Sequence, residues 1–169
     1  MNQNEQRQYF EQLVQQHQGI WIKIAHTYCP HESERQDLIQ EMMIQVWQAL
    51  PRYDNRVKIS TWLYRIALNV AISAYRKSSQ RSQLTVGYLE AGIMSNDHVS
   101  HSTDHQLNLL NRFIGELKEI DKALMLLFLE EKSHSEIAEI LGLSLTNVGT
   151  RLSRIKDRLR QRFSEIKNL

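Results

Sequence analysis

Apolar residues recur three and four positions apart along most of this chain, which is the spacing of an amphipathic α-helix. One such run covers residues 10–28 and stops before Pro30, and a second covers 34–50 and is followed by Pro51. Proline lacks an amide hydrogen and crowds the preceding turn, so each proline explains the end of its run. A third run covers residues 60–77. We predict three helices that close one core.

The helical spacing breaks between residues 78 and 105, where Ser, Gln, Asn, His and two glycines dominate. Such a composition is typical of a linker, with room for a brief helix near residues 86–94. The spacing then resumes and continues to the C-terminal end. We therefore predict an all-α chain with two small helical domains, residues 1–78 and 106–169, joined by a flexible linker over 79–105.

Residues 133–159 predict two helices joined by a tight turn. Ser133 has Glu136 three residues on, the spacing of a capping box, and Gly142 stands where a helix often ends in a left-handed residue. Ser144 is placed to cap the next helix. The outer side of that helix carries groups that can bond phosphates and base edges: Thr146, Asn147, Thr150, Arg151, Ser153 and Arg154. This helix-turn-helix pattern favours DNA as the partner, although protein-binding helix hairpins share it.

Charge is unevenly distributed along the chain. Of its 169 residues 41% are hydrophobic, so a folded protein is expected, and the net charge is only +2 at pH 7. Yet no acidic residue lies between Asp54 and Glu90, and residues 151–162 contain six basic side chains with one acidic one. Two separate basic zones predict two docking places for a polyanion, although a solvated helix face has the same composition.

Catalytic chemistry is not indicated. Cys29 is the only cysteine, so no internal disulfide is possible. His26, Cys29 and His31 are the one cluster that could support a metal, but their spacing matches no recognised zinc site, and we expect neither metal nor cofactor. No Gly-rich phosphate loop or paired catalytic carboxylates occur, so an enzyme is not expected. The Gln-rich N-terminus lacks a signal peptide's apolar core, and no apolar run approaches the roughly 20 residues of a membrane span, which predicts a cytoplasmic protein.

Several segments match a known family. Residues 37–54 are D-L-I-Q-E-M-M-I-Q-V-W-Q-A-L-P-R-Y-D, and S-T-W-L-Y-R-I-A-L-N and Y-R-K follow. They closely resemble region two of extracytoplasmic-function sigma factors, the short members of the bacterial sigma-70 family. The run E-I-A-E-I-L-G-L-S and the V-x-x-R-L-x-R after it resemble region four, a helix-turn-helix or winged-helix-like domain. The resemblance implies a protein that binds core RNA polymerase, recognises two promoter elements and helps to open the DNA, without catalysis of its own.

The resemblance also assigns functions to surfaces of the first domain. A stripe on its second helix matches the polymerase-binding surface, although an ordinary solvated acidic face looks the same: Asp37, Gln40, Glu41 and Gln45. Positions in the following loop and third helix match the surface for the minus-ten promoter element: Tyr53, Asp54, Asn55, Arg56, Lys58, Arg65, Asn69, Ser73, Arg76 and Lys77. Tyr53 either offers a stacking face to an unpaired base or folds back over Trp47. Trp62 and Leu63 are expected in the core rather than as wedges that melt DNA.

Region four would bind the minus-thirty-five element through the second helix of the helix-turn-helix. The matching positions are Thr146, Asn147, Gly149, Thr150, Arg151, Ser153 and Arg154. Gly149 departs from the family, which usually has Lys or Arg there. Either this protein recognises an unusual upstream element, or the glycine lets the backbone approach DNA closely.

Partners follow from the same resemblance. We expect core RNA polymerase, promoter DNA and possible capture by an anti-sigma factor, with the free protein a monomer. The alternative is a transcriptional regulator that binds DNA as a dimer through the helix-turn-helix alone and does not need polymerase.

Overall fold

Helices form the regular structure of residues 2–84 and 102–168, the parts of the chain that the computed structural model describes, and neither part contains a strand. The predicted all-α class is therefore confirmed. In chain order the elements are α1 (Gln3–Gln16), α2 (Gln18–Tyr28), α3 (Glu32–Ala49), a 3₁₀ turn (Leu50–Arg52), α4 (Ile59–Leu84), α5 (Ser102–Gly115), α6 (Glu119–Leu129), α7 (His134–Leu141) and α8 (Leu145–Lys167). We call α1–α4 the N-terminal module and α5–α8 the C-terminal module. The brief helix expected near 86–94 lies outside the described residues.

The first predicted helix, residues 10–28, is two helices that meet at His17. Its φ of −114° lies outside the helical range, and its amide donates to the carbonyl of Leu13 at the end of α1. The local sequence Q-H-Q-G has no apolar position and ends in glycine, so little favours a continuous helix there. α1 also begins earlier than predicted, because Asn2 and Glu5 form a capping box.

Helices also occupy both ends of the stretch predicted as linker. α4 continues to Leu84 and α5 begins at Ser102, whereas the linker was predicted to cover 79–105. Residues 78–84 carry Ser, Gln, Arg and Leu without Gly or Pro, so the backbone can remain helical after the apolar face has ended. Loss of hydrophobic spacing therefore marked the end of the packed face rather than the end of the helix.

The core of the N-terminal module lies between α2, α3 and α4. Ile24, Met42 and Leu63, one from each helix, are completely buried, as the apolar spacing predicts. Ile44 is the exception: it lies within the apolar run 34–50, yet it is 48% exposed. At 3.6 residues per turn Ile44 falls on the polar side of that helix, beside Gln40.

The helix-turn-helix predicted over residues 133–159 is confirmed in α7 and α8. Ser133 and Glu136 form the expected capping box, and Gly142 ends α7 with a φ of +66°. The hydroxyl of Ser144 then accepts a hydrogen bond from an amide in the first turn of α8. Both helix starts and the turn between them therefore follow from local chemistry that is visible in the sequence.

The two modules pack against each other and share one hydrophobic core, a contact that the sequence did not predict. α6 lies at its centre: it contacts α2 and α4 of the N-terminal module as well as α5, α7 and α8 of its own. Residues 122–127 are consequently all buried. A helix segment that is enclosed on every side is expected to be apolar all round, as residues 122–127 are apart from Lys122.

Candidate nucleic-acid and protein-binding surfaces

A polar stripe runs along α3 on the side away from the core. Asp37, Gln40 and Glu41 are exposed, while Gln45 is half-buried and donates from Nε2 to Oε1 of Glu41 at 3.1 Å. The structure thus brings all four predicted polymerase-binding residues onto one surface. Sequence reasoning missed Ile44, whose exposed side chain lies within this stripe. Its spacing of three from Glu41 and four from Gln40 is the signal that would have placed it there.

The loop before α4 has a defined shape. The hydroxyl of Tyr53 donates to the carbonyl of Val57 at 2.8 Å, closing the loop on itself. Asp54 accepts from the amide of Arg56 at 3.1 Å and pairs with its guanidinium at 3.1 Å, and Asn55 between them has a φ of +60°. Asp54, Asn55, Arg56 and Lys58 are exposed. The predicted minus-ten loop is therefore a fixed turn that displays its polar side chains.

Tyr53 does not fold back over Trp47. Its ring lies against Trp62, with 5.0 Å between ring centroids, whereas Trp47 contacts Phe10 at 5.3 Å. Trp62 is half-buried and Leu63 is completely buried, so both belong to the packed body as expected. Because the Tyr53 ring packs against Trp62, it is held in one position while part of the ring stays exposed.

The predicted DNA-facing side of α4 is only partly open. Asn69, Ser73 and Lys77 are exposed. In contrast, the guanidinium of Arg65 donates to the carbonyl of Glu139 on α7 at 2.9 Å, and Arg76 pairs with Glu119 on α6 at 2.9 Å. The C-terminal module therefore occupies two of the arginines predicted to contact the minus-ten region.

Three further contacts cross between the modules. Tyr28 donates its hydroxyl hydrogen to the carbonyl of Glu119 at 2.6 Å, and Lys23 pairs with Glu130 at 2.6 Å. The ammonium of Lys132 lies 5.5 Å from the ring centroid of Tyr64, whose pKa burial raises to about 12. Two of these contacts join a carboxylate or carbonyl of the C-terminal module to a basic or hydroxyl group of the N-terminal module, and the third places a lysine of the C-terminal module against an aromatic ring.

Lys122 is the one charged side chain buried in this contact among the described residues. It is 4% exposed, with its ammonium 4.4 Å from the ring centroid of Tyr75 and 6.0 Å from that of Tyr28. No described carboxylate forms an ion pair with it. Burial lowers the pKa of Lys122, and the neighbouring Cys29 opposes this in part. Sequence reasoning missed this residue, although a lysine directly before the apolar run A-L-M-L-L-F of α6 is a visible signal.

The predicted DNA-contacting helix α8 divides into open and engaged positions. Thr146, Thr150, Ser153 and Arg154 are exposed, whereas Asn147, Gly149 and Arg151 are half-buried. Arg151 pairs with Asp121 of α6 at 3.0 Å and also donates from Nε to Oδ1 of Asn147 at 3.0 Å. Asp121 was not predicted as part of this surface.

Gly149 is not required by the fold. A methyl group added at its Cα would meet only the His134 ring, at 3.9 Å, which is ordinary van der Waals contact. We expect Gly149→Ala to raise the free energy of unfolding by about 0.8–1.0 kcal/mol, the difference between the two residues inside a helix. Urea denaturation followed by circular dichroism would measure it. If the variant is more stable but binds DNA more weakly, the glycine serves the approach of DNA; an unstable variant would contradict the prediction.

Neither a metal site nor a membrane span is found in the described parts of the chain. No group of three or more His, Cys, Asp or Glu side chains there could hold a metal ion. Cys29 is half-buried, and burial raises the pKa of its thiol. Likewise, no described helix is both long and apolar enough to cross a membrane.

Comparison with known proteins gives matches in both modules. Residues 13–81 match the family model of sigma-70 region 2, and residues 107–159 match that of sigma-70 region 4. The RNA polymerase sigma factor CnrH of Cupriavidus metallidurans is 29% identical over 160 residues, 89% of this chain and 84% of that protein. The ECF RNA polymerase sigma factor SigW of Bacillus subtilis is 26% identical over 168 residues, 93% of this chain and 90% of that protein.

A solved structure shares the fold. The sigma factor RpoE in complex with the anti-sigma factor NepR from Bartonella quintana superimposes with a TM-score of 0.71 at 20% identity. The match covers 90% of this chain and 94% of that one, so it extends over both modules.

Proposed function

We infer a mode of action from one premise: this chain belongs to the sigma-70 family and is an alternative sigma factor of the extracytoplasmic-function type. It binds core RNA polymerase and directs it to promoters. The observation that carries this conclusion is the match of two different promoter-binding regions, in the family's order, to the two modules. Because the protein acts together with RNA polymerase, we propose that it is located in the cytoplasm. The protein needs no catalytic group of its own for this function.

The two modules have to separate in order to act on a promoter. The minus-ten and minus-thirty-five elements are about 25 base pairs apart, or about 85 Å of duplex at 3.4 Å per pair. A compact chain of this length has a radius of gyration of about 15 Å. The packed arrangement is too small to contact both elements. The segment from residue 84 to 102 supplies up to about 60 Å of extended backbone, enough to let each module reach its own element.

The α3 stripe is proposed as the polymerase-binding surface. Asp37, Gln40 and Glu41 offer exposed acceptors on one side of the helix, and Ile44 adds an exposed apolar contact in their midst. Leu38 and Met42 on the opposite side anchor the helix in the core. An interface with an apolar centre and a polar rim is typical of protein partners.

The loop and α4 are proposed to bind the minus-ten element. A base cannot be recognised on its pairing edge while it remains stacked in the duplex, so it has to leave the stack at a cost of a few kcal/mol. Asp54, Asn55 and Arg56 display hydrogen-bonding groups at the loop tip, beside the supported ring of Tyr53. Together they can hold an unpaired base, while Asn69, Ser73 and Lys77 contact the DNA upstream of it. Arg65 and Arg76 join this surface after the modules separate.

The exposed residues of α8 are proposed to contact the minus-thirty-five element. Arg154 is solvent-accessible and lies on the same side of the helix as Thr150. We expect Arg154→Ala to weaken promoter binding by about 1–3 kcal/mol if Arg154 contacts a base. Fluorescence anisotropy of the polymerase complex on a target and on a scrambled upstream element would measure it. An equal loss on both sequences, with the salt slope reduced by about one, would instead assign Arg154 to phosphate.

The function itself is tested by reconstitution. The purified full chain is combined with core RNA polymerase and a promoter-fragment library, and retained DNA is sequenced after a gel shift. We expect the chain to bind core and to enrich fragments with two conserved elements. If the chain does not bind core polymerase, the proposal fails.

The dimeric regulator is not supported. That alternative requires a palindromic site and a stable dimer, whereas the matches to sigma-70 regions cover both modules and leave none for dimerisation. Size-exclusion chromatography is expected to give a monomer. Because the structural relative RpoE was solved with an anti-sigma factor, we also propose that such a protein captures this chain, which co-purification from the host would reveal.

A further inference from the structure

A chain of hydrogen bonds links the start of α8 to α6. Ser144 Oγ accepts from the amide of Asn147, whose side-chain Oδ1 accepts from Nε of Arg151 at 3.0 Å. Nη1 of Arg151 then donates to Oδ1 of Asp121 at 3.0 Å. Asp121 is 16% exposed and Arg151 39% exposed, so this ion pair is partly shielded from water. It joins residues 30 positions apart in the sequence.

This arrangement fixes which groups of Asn147 remain available. Arginine carries only donors, so the atom of the amide that faces Arg151 has to be the carbonyl oxygen. The amide NH₂ group is then left for other partners. At the same time, Asp121 neutralises the Arg151 guanidinium. Two nitrogens of this planar group, Nε and Nη1, are engaged by Asn147 and Asp121, so the guanidinium is held along the helix surface.

We propose that Asp121 is a positioning residue for recognition of the upstream promoter element, an inference that rests on the proposed function. Through Arg151 it turns Asn147 so that the amide donates to the DNA, and it keeps the Arg151 charge away from the phosphates. A donor favours guanine, which presents two acceptors in the major groove, N7 and O6. Adenine is matched by an asparagine that accepts as well as donates, and here Arg151 already engages one lone pair of the accepting oxygen and fixes its direction.

Asp121→Asn tests the inference because it removes the charge and keeps the shape. The full-length variant and the wild-type chain are each combined with core polymerase and a promoter library randomised in the upstream element. We expect the variant to lose at least fivefold in its preference for guanine at one position, the lower end for a specific base contact. We also expect its salt slope to steepen by about 0.9, because the released Arg151 gains one phosphate contact.

Glu116→Gln is the matched control. Glu116 pairs with Arg162, which lies on α8 eleven residues and about 16 Å beyond Arg151. Glu116→Gln therefore makes the same change in net charge as Asp121→Asn, but at a distant ion pair of the same helix. We expect this control to keep the wild-type base preference and salt slope. The double variant Asp121→Asn with Arg151→Gln is expected to lose the added slope, because the freed guanidinium is gone.

Several results would overturn the inference. If Asp121→Asn and Glu116→Gln changed the base preference and the salt slope equally, the effect of Asp121 would be one of net charge alone. A less stable Asp121→Asn variant with wild-type preference and slope would make the pair a purely structural one. Asp121→Glu distinguishes misfolding from mispositioning, since a restored charge is expected to restore both readouts. Failure of the wild-type chain to hold promoter DNA, by contrast, would refute the proposed function rather than this role of Asp121.

Discussion

Lys122→Met is expected to hold the two modules together more tightly, by about 1–4 kcal/mol, the range seen when buried ion pairs are replaced by well-packed apolar residues. Closing the modules removes the Lys122 ammonium from water and gives it two aromatic rings but no carboxylate. Methionine has a similar length and needs no such hydration. Small-angle X-ray scattering of the free chain would show a larger compact fraction, and promoter binding with core polymerase would weaken.

Lys122→Glu is the opposing variant. It places a carboxylate where the ammonium now lies against the Tyr28 and Tyr75 rings, and the negative faces of these rings disfavour an anion. We expect the modules to separate, the radius of gyration to rise and the affinity for core polymerase to increase. If both variants scatter like the wild type, Lys122 does not influence the balance between the closed and open states.

The same lysine makes closure depend on pH. Because burial lowers the pKa of Lys122, the closed state binds fewer protons than the open one at any pH between that lowered value and 10.5. Closure is therefore expected to strengthen as pH rises through this window, and Lys122→Met should remove the effect. Tyr28 acts in the opposite direction only above pH 10, since burial raises its pKa. Glu119, whose pKa is lowered, weakens closure only in acid.

Leu127→Ala is expected to lower the free energy of unfolding by about 2–5 kcal/mol, the cost of truncating a fully buried leucine. Leu127 is completely buried on α6, the helix around which the C-terminal module packs. The loss should appear as a lower urea midpoint with an unchanged slope. A loss of that size approaches the whole stability of a small module, so binding to the upstream element should fall as well.

Leu129→Ala provides the comparison within the same helix. Leu129 is 46% exposed, so its truncation removes little buried surface and should change stability by less than about 0.5 kcal/mol. Equal effects at the two positions would show that α6 is not enclosed as described.

Local features of this fold were predictable because they depend on near neighbours. Ser133, Gly142 and Ser144 mark the ends of α7 and α8 through capping groups that lie within four residues of their targets. The apolar spacing likewise identified Met42 and Leu63 as core. The break at His17 was missed because the apolar residues on both sides keep a helical spacing across it.

The contact between modules was beyond what the sequence could show, because it depends on two surfaces that lie far apart in the chain. Arg65 bonds a residue 74 positions away and Arg76 one 43 positions away. A basic residue at helical spacing has the same appearance whether it faces solvent, a phosphate or a distant carboxylate. For the same reason, the ion pair of Arg151 with Asp121 could not be predicted from the sequence and is seen only in the structure. Only the unusually apolar composition of α6 hinted that this helix packs on two sides.

The contact between the two modules sets a threshold for transcription. If one molecule in a hundred is open, core polymerase sees an apparent dissociation constant about a hundredfold weaker than the intrinsic one. Small amounts of the protein then compete poorly with other initiation factors for a limited pool of enzyme, and basal output from its promoters stays low. Any ligand or protein that prefers the separated form would raise output without new synthesis.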